Sequence, residues 1–285
     1  MSLLSSLTTL ESTIAAELRP PRAELGTTAG MDAWIDTYHS VRGLTQRDTY
    51  VLLTDSAVGQ REEHNLRHLV ANLGNDAPRD KVVPFLTAKH SLDYCLEYAD
   101  RAWEQGFRSL VVLGGDTKIG PARCVGHGWQ LRQAVRARQP ALELGGWANP
   151  HKDPASQIGH LLEPGVTADF YLSQVVSHHD LPVIERFLNE SERRGLSMPG
   201  LFGIFYYRSA NPCTLDALAP FLPVPRDALI RDFRTGATAE DVCAQTIEAL
   251  WRLGIRNIYV SNLPVGRAPV VLSDILKRAA SRQQL

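Results

Sequence analysis

The chain has 285 residues, 44% of them apolar, enough to bury a sizeable core as one large α/β domain or two smaller ones. Thirty Lys and Arg stand against 31 Asp and Glu, leaving a net charge of −1 and no dense basic run, so nucleic acid and anionic membrane surfaces are not expected partners. No stretch approaches the roughly 18 uncharged apolar residues of a membrane span, and the opening Met1-Ser2-Leu3-Leu4 lacks a basic n-region; a soluble, cytoplasmic protein is expected, as a monomer or small homo-oligomer.

The first ten residues read as a helix or tail. Apolar, β-branched-rich runs bounded by turn residues then follow at 13–18, 49–54, 81–88, 109–114, 141–147, 168–173, 201–207 and 257–263. Between them, apolar positions return every three or four residues over 92–106, 126–138, 180–195 and 239–253, the period of a helix with one buried face. The last interval is longer and holds two helical segments, about 212–223 and 239–253. Eight strand–helix units of this spacing predict a closed (β/α)₈ TIM barrel in a single domain spanning 1–285. An open doubly wound sheet would carry a GxGxxG turn after its first strand, where this chain has Pro20-Pro21-Arg22.

In a barrel, the C-terminal ends of the strands share one mouth, and residues there can be taken as a site. Glu17 interrupts an apolar strand; a carboxyl among such neighbours is desolvated, which raises its pKa and makes it a proton donor near neutrality. Its alternative is an ion pair with Arg19 or Lys89 that only fixes the rim. Asp116 follows Gly114-Gly115, which keep the backbone open to a ligand; it either orients a substrate as an ionised carboxylate or caps the next segment. Gln174 carries both donors and acceptors and suits the edge of an amide-like heterocycle, or is an ordinary rim amide.

Some motifs point away from other chemistries. His178-His179-Asp180 has no third ligand at helical spacing, so a helix start capped by Asp180 is expected and no metal. Asn149-Pro150-His151 reads as a turn, and no G-x-S-x-G elbow is present. Cys95, Cys124, Cys213 and Cys243 lack C-x-x-C spacing and are expected as reduced, packed thiols.

Taken in order, these strand ends resemble the methylenetetrahydrofolate reductase family over roughly residues 14–265. Glu17-Leu18-Arg19-Pro20-Pro21-Arg22 is similar to that family's E-F-F-P-P-R, Gly59-Gln60-Arg61-Glu62 to G-E-R-D, and Leu113-Gly114-Gly115-Asp116 to L-R-G-D. Ala148-Asn149-Pro150-His151 stands where the family has its Y-P-x-x-H or A-N-P segment, and Ser173-Gln174 is similar to its T-Q. The resemblance implies a TIM barrel that reduces 5,10-methylenetetrahydrofolate to 5-methyltetrahydrofolate: protonation at nitrogen opens the imidazolidine ring, and the resulting iminium accepts hydride. It implies Glu17 as general acid, Asp116 as stabiliser of developing positive charge, and Gln174 on the pterin edge. Asp55, Tyr206 and Arg208 are the further candidate contacts to a tetrahydrofolate-type substrate. Phe85, Thr87, Gly114, Gly115, Trp147, Asn149 and His151 are the candidates for the cofactor.

Family members that hold FAD share an Arg before the G-D, a His before L-T on the third strand and a Lys on the helix after the fifth. This chain has Gly114, Phe85 and the Lys-free Gly159-His160-Leu161-Leu162-Glu163. Each lost charge removes a charge-assisted hydrogen bond of about 1–3 kcal/mol to a flavin. The chain therefore resembles the flavin-independent branch, in which NADH or NADPH passes hydride directly to the methylene carbon across about 3–3.5 Å. The alternatives are an FAD- or FMN-dependent reductase with other contacts, and a non-reducing C1-pterin methyl-transfer or binding protein.

Overall fold

The structure, a computed structural model, describes residues 1–21, 27–55 and 77–283. Arg22 and the Gly59-Gln60-Arg61-Glu62 motif lie outside the described residues. Eight parallel strands close into a barrel in sequence order: β1 (Ile14–Leu18), β2 (Tyr50–Leu53), β3 (Val82–Thr87), β4 (Ser109–Leu113), β5 (Glu143–Ala148), β6 (Phe170–Val176), β7 (Gly200–Phe205) and β8 (Ile258–Ser261). Each falls within or overlaps one of the eight apolar runs. The seam is β8 on β1, with Ile14, Ala15 and Ala16 opposite Ile258, Tyr259 and Val260.

Side chains alternate along each strand, so residues two apart share a face. Ala15, Leu52, Val83, Phe85, Val111, Phe170, Leu172, Leu201 and Tyr259 fill the interior. Their neighbours Ala16, Val51, Val82, Leu110, Leu144 and Val260 belong to the outer core under the helices. Helix α1 (Leu3–Thr9) adds Leu3 and Leu7 to the interior cluster. It is held at the bottom of the barrel by Glu143 on β5, which accepts from Leu4 N at 3.3 Å, and by Tyr50 on β2, whose hydroxyl donates to Met1 O at 2.9 Å.

The helices follow from amphipathic spacing and caps. Helix α2 (Thr27–Thr45) follows β1, α3 (Leu92–Glu104) follows β3, α4 (Gly128–Arg138) β4, α5 (Pro154–Leu162) β5 and α6 (Leu181–Arg193) β6. Ser91 caps α3 by accepting from Tyr94 N, and Asp153 caps α5, with Pro154 at the first turn, by accepting from Ser156 N. After β7 come three helices rather than the expected two: α7 (Pro212–Leu218), α8 (Arg226–Arg234) and α9 (Ala239–Arg252). Helix α8 has five charged residues in Arg-Asp-Ala-Leu-Ile-Arg-Asp-Phe-Arg and buries only Leu229, so its apolar period is faint in sequence. Helix α10 (Ala268–Gln283) follows β8.

Glycines inside the strands make room for aromatic rings. A Cβ on Gly145 would lie 2.7 Å from the Phe170 ring, and one on Gly203 would lie 2.5 Å from the Tyr259 ring. Tyr259 crosses the interior over that gap and donates from its hydroxyl to Ser173 O at 2.6 Å. Gly203→Ala should therefore cost about 1–3 kcal/mol through overpacking, measured by denaturant unfolding; an unchanged midpoint would show that the ring moves freely.

Candidate functional site

The top inward layer of the barrel is where the alternation turns polar. Two residues above interior Ala15 stands Glu17, above Val83 and Phe85 stands Thr87, above Leu172 stands Gln174, and above Tyr259 stands Ser261. Together with Arg19, Thr54, Asp55, Leu113, Gly115, Trp147 and Phe205 they line a cavity of about 520 Å³ at the mouth. Ala217, Leu218, Phe221 and Leu222, from α7 and the turn after it, form the roof. The roof rests on an apolar cluster of Val175, Phe205, Tyr207, Leu215, Leu229 and Val242. A half-open cavity of this size, mostly apolar with a few convergent polar groups, suits a small planar ligand.

Glu17 is enclosed by protein yet keeps part of its surface toward the cavity. Burial pushes its carboxyl above the ordinary value of 4.5, opposed by a hydrogen bond from Ser261 and the charge of Arg19. Ser261 Oγ donates to Glu17 Oε1 at 2.8 Å across the β1–β8 seam. Neither rim-pairing partner considered from sequence takes the carboxylate: Lys89 is buried and donates its Nζ to Ile119 O at 2.6 Å and Pro121 O at 2.8 Å. Arg19 is exposed and engaged in no hydrogen bond or ion pair among the described residues.

Asp55 latches two strand ends together. Its Oδ2 accepts from both Thr87 N and Thr87 Oγ1 at 2.8 Å and lies 2.9 Å from His90 Nε2. Gln174 sits at a shift of register between β6 and β7, where the ladder skips from Leu172 to Val175. Such an irregularity re-aims a side chain; here the amide lines the cavity, and Gln174 Nε2 reaches Phe221 O of the roof at 3.5 Å. Trp147 is 38% exposed and Phe221 57%, unusual for large rings and explained by their place on the cavity wall.

Of the residues singled out from sequence, Glu17, Asp55, Phe85, Thr87, Gly115, Trp147 and Gln174 are thus brought together. The others are not. Asp116 lies outside the cavity lining, and its exposed Oδ1 accepts from Lys118 N at 2.6 Å and Ile119 N at 2.8 Å, bonds that keep it ionised. It holds a turn, the capping role weighed beside the catalytic one. Tyr206 follows inward-facing Phe205, so alternation turns it outward, and its hydroxyl donates to Glu240 Oε1 at 2.6 Å. Arg208 spends its guanidinium on Asn262 O and Leu263 O. Asn149 and His151 form the expected turn, with Asn149 Oδ1 accepting from His151 N at 3.0 Å, and His151 Nε2 lies 3.0 Å from Val175 O.

Gly114 also stands outside the cavity wall, and its absent side chain is occupied from elsewhere. A Cβ there would lie 2.9 Å from the Arg123 guanidinium carbon. Arg123 bonds Gly115 O and, at 3.2 Å, Gly126 O. A cation therefore sits beside the β4 exit although the strand itself offers none, a contact that a motif read position by position does not report. Sequence spacing offers Arg19 only as a rim partner for Glu17 and does not single out Tyr259, Ser261 or the roof as site residues, whose signal is inward register or a contact made across the chain.

Residues 178–180 depart from expectation too. Asp180 takes the cap position of α6 but makes no capping bond; Ser177 Oγ accepts from His179 N at 3.3 Å instead. His178 and His179 face Asp232 of α8, a third group that sequence spacing could not supply.

No family model matches the chain, and no curated protein matches it. Among solved structures it is similar to a protein of Clostridium thermocellum that binds two copies of 5-methyl-5,6,7,8-tetrahydrofolic acid, with a TM-score of 0.69 at 16% identity over 99% of each chain. It is also similar to a protein of Aquifex aeolicus VF5, with a TM-score of 0.50 at 10% identity over 100% of this chain and 99% of that one. At these identities the likeness establishes the shared barrel fold. No helix among the described residues is long and apolar enough to cross a membrane.

Because the folded state holds the Glu17 proton more tightly than the unfolded chain does, wild-type stability falls as pH rises from about 4.5 through the raised folded value. Glu17→Gln removes that loss. The melting temperature of the variant relative to wild type should climb over this span, and a pH-independent difference would show that burial does not disfavour the ionised carboxyl.

Proposed function

We propose that the protein is a methylenetetrahydrofolate reductase-like oxidoreductase that transfers hydride from NADH or NADPH to a C1-pterin without a bound flavin. The observation that carries this is the desolvated Glu17 in the top inward layer of the cavity, beside a planar-ligand wall of Trp147, Phe221 and Gln174. The 5-methyltetrahydrofolate bound by the Clostridium thermocellum barrel is the product such a reaction would form.

In this account Gln174 pairs with the pterin edge and the aromatic walls stack on its faces. Arg19, exposed at the rim, meets the anionic tail of the folate. The Glu17 proton goes to the ring nitrogen that releases the methylene carbon; that C–N bond breaks and leaves an iminium. Hydride from nicotinamide C4 then enters the methylene carbon, giving the methyl pterin and NAD(P)⁺. Ser261 positions the acid and Asp55 fixes the β2 and β3 exits around it. Asp116 and Lys89 shape the loop after β4, and Gly115 at its start lines the cavity.

Flavin-free transfer is supported by what stands at the three flavin-contact positions. Phe85 belongs to the apolar barrel interior, α5 carries no Lys, and the Arg123 guanidinium beside Gly114 is spent on loop carbonyls. A second possibility, a non-reducing pterin-binding protein, is favoured by Tyr206 and Arg208 both being committed elsewhere.

Purified protein without flavin absorbance should oxidise NADH or NADPH only when 5,10-methylenetetrahydrofolate is added. Glu17→Gln should lower that rate by about 10²–10⁴, the usual worth of a general acid. Pterin binding without nicotinamide oxidation would select the non-reducing alternative, and an activity that required added FAD would select the flavoenzyme.

A further inference from the structure

Outside the mouth, the turn after β6 and helix α8 bring together three ligating groups from distant parts of the chain. His179 Nε2 lies 2.9 Å from Asp232 Oδ2, and His178 Nε2 lies 3.9 Å from the same oxygen. The three ligand atoms all fall within 4.8 Å of one another. We propose that His178, His179 and Asp232 form a binding site for zinc or a similar divalent transition-metal ion, which clamps the roof of the cavity to the barrel.

Three features support a metal over a plain ion pair. First, although His179 Nε2 and Asp232 Oδ2 are close, both are buried atoms without a hydrogen-bond partner among the described residues. The pair is close but not aligned for an N–H···O bond, and leaving two such atoms unsatisfied is costly. Second, the adjacent imidazoles do not diverge as expected for neighbours in sequence: their ring centroids are 3.9 Å apart, and both Nε2 atoms approach the one carboxylate oxygen.

Third, His178 has the support that a metal-ligating histidine needs. Thr246 Oγ1, on α9, donates to Val242 O at 3.1 Å and lies 2.8 Å from His178 Nδ1. With its single proton spent on the carbonyl, the hydroxyl accepts from Nδ1–H. That tautomer leaves the Nε2 lone pair free to ligate, the arrangement in which an outer partner orients a metal-bound imidazole.

Two imidazoles and a carboxylate suit zinc, whose bonds of about 2.0–2.2 Å place tetrahedral ligands about 3.3–3.5 Å apart. The observed 2.9 and 3.9 Å from the two imidazoles to Asp232 bracket that spacing. The nearby cation Arg282 is directed toward Asp241, 3.7 Å away. Three protein ligands leave the fourth position open to water. An ion here joins the β6 exit to α8, and through Thr246 to α9, both of which contribute Leu229 and Val242 to the cluster beneath the roof.

The test is titration of metal-stripped protein with zinc chloride, followed by calorimetry and thermal unfolding. One ion per chain should bind, and zinc at about one hundred times its dissociation constant should raise Tm by about 5 °C. Cobalt(II) at the same site should give visible bands of low-coordinate geometry. Asp232→Asn and His179→Gln, both near-isosteric and checked for folding by circular dichroism, should weaken zinc by more than about 100-fold, and Thr246→Val by about 10–100-fold. No stoichiometric binding to folded wild type, or equal affinity in folded Asp232→Asn, overturns the proposal. The outcome does not depend on the reaction at the mouth.

Discussion

The hydrogen bond from Ser261 to Glu17 is made across the seam where the last strand meets the first. Everything about the candidate site depends on that closure. Without β8 on β1, Glu17 would sit at a sheet edge facing water, where a carboxyl keeps an ordinary pKa and makes a poor acid at neutral pH. Closure encloses it over the ring of Tyr259 and raises its proton affinity. The same closure sets the register that turns Glu17, Thr87, Gln174 and Ser261 inward at the mouth rather than onto opposite faces.

Burial of a carboxyl is not stabilising in itself. Its ionised form loses water and gains only the Ser261 hydroxyl and the distant charge of Arg19 in return. A barrel that keeps such a group in its top layer accepts a local cost at the place where ligands enter, while the layers beneath are apolar and tightly packed. Gly145 and Gly203 belong to that economy, since they let Phe170 and Tyr259 fill the interior where a Cβ would collide. Rigid lower layers hold the upper one in place, which is what the proposed role of Glu17 as a proton donor demands.

The fold was legible because its signals are local. Buried parallel strands are short apolar runs, and eight of them at regular spacing leave few topologies. Helix α8 escaped because charged residues dominate it and one leucine anchors it. In the site, Glu17, Thr87, Trp147 and Gln174 line the cavity because their register follows directly from their strands. One position of alternation turns Tyr206 to the outer core, and Arg208, although a charge at a strand end, turns to the Asn262 and Leu263 carbonyls. Arg123 beside Gly114, Phe221 over Gln174 and Asp232 beside His179 are encounters between segments far apart in sequence or across a turn, and no spacing rule reports them.

In the proposed reaction, hydride passes straight from nicotinamide to a pterin methylene carbon in this cavity. The most direct measurement is turnover of flavin-free protein with NADH deuterated at both C4 positions, followed by mass analysis of the pterin product. Direct transfer predicts one deuterium retained in the new methyl group for each NADH consumed. Methyl pterin formed without that deuterium, or no methyl pterin at all, would contradict the account.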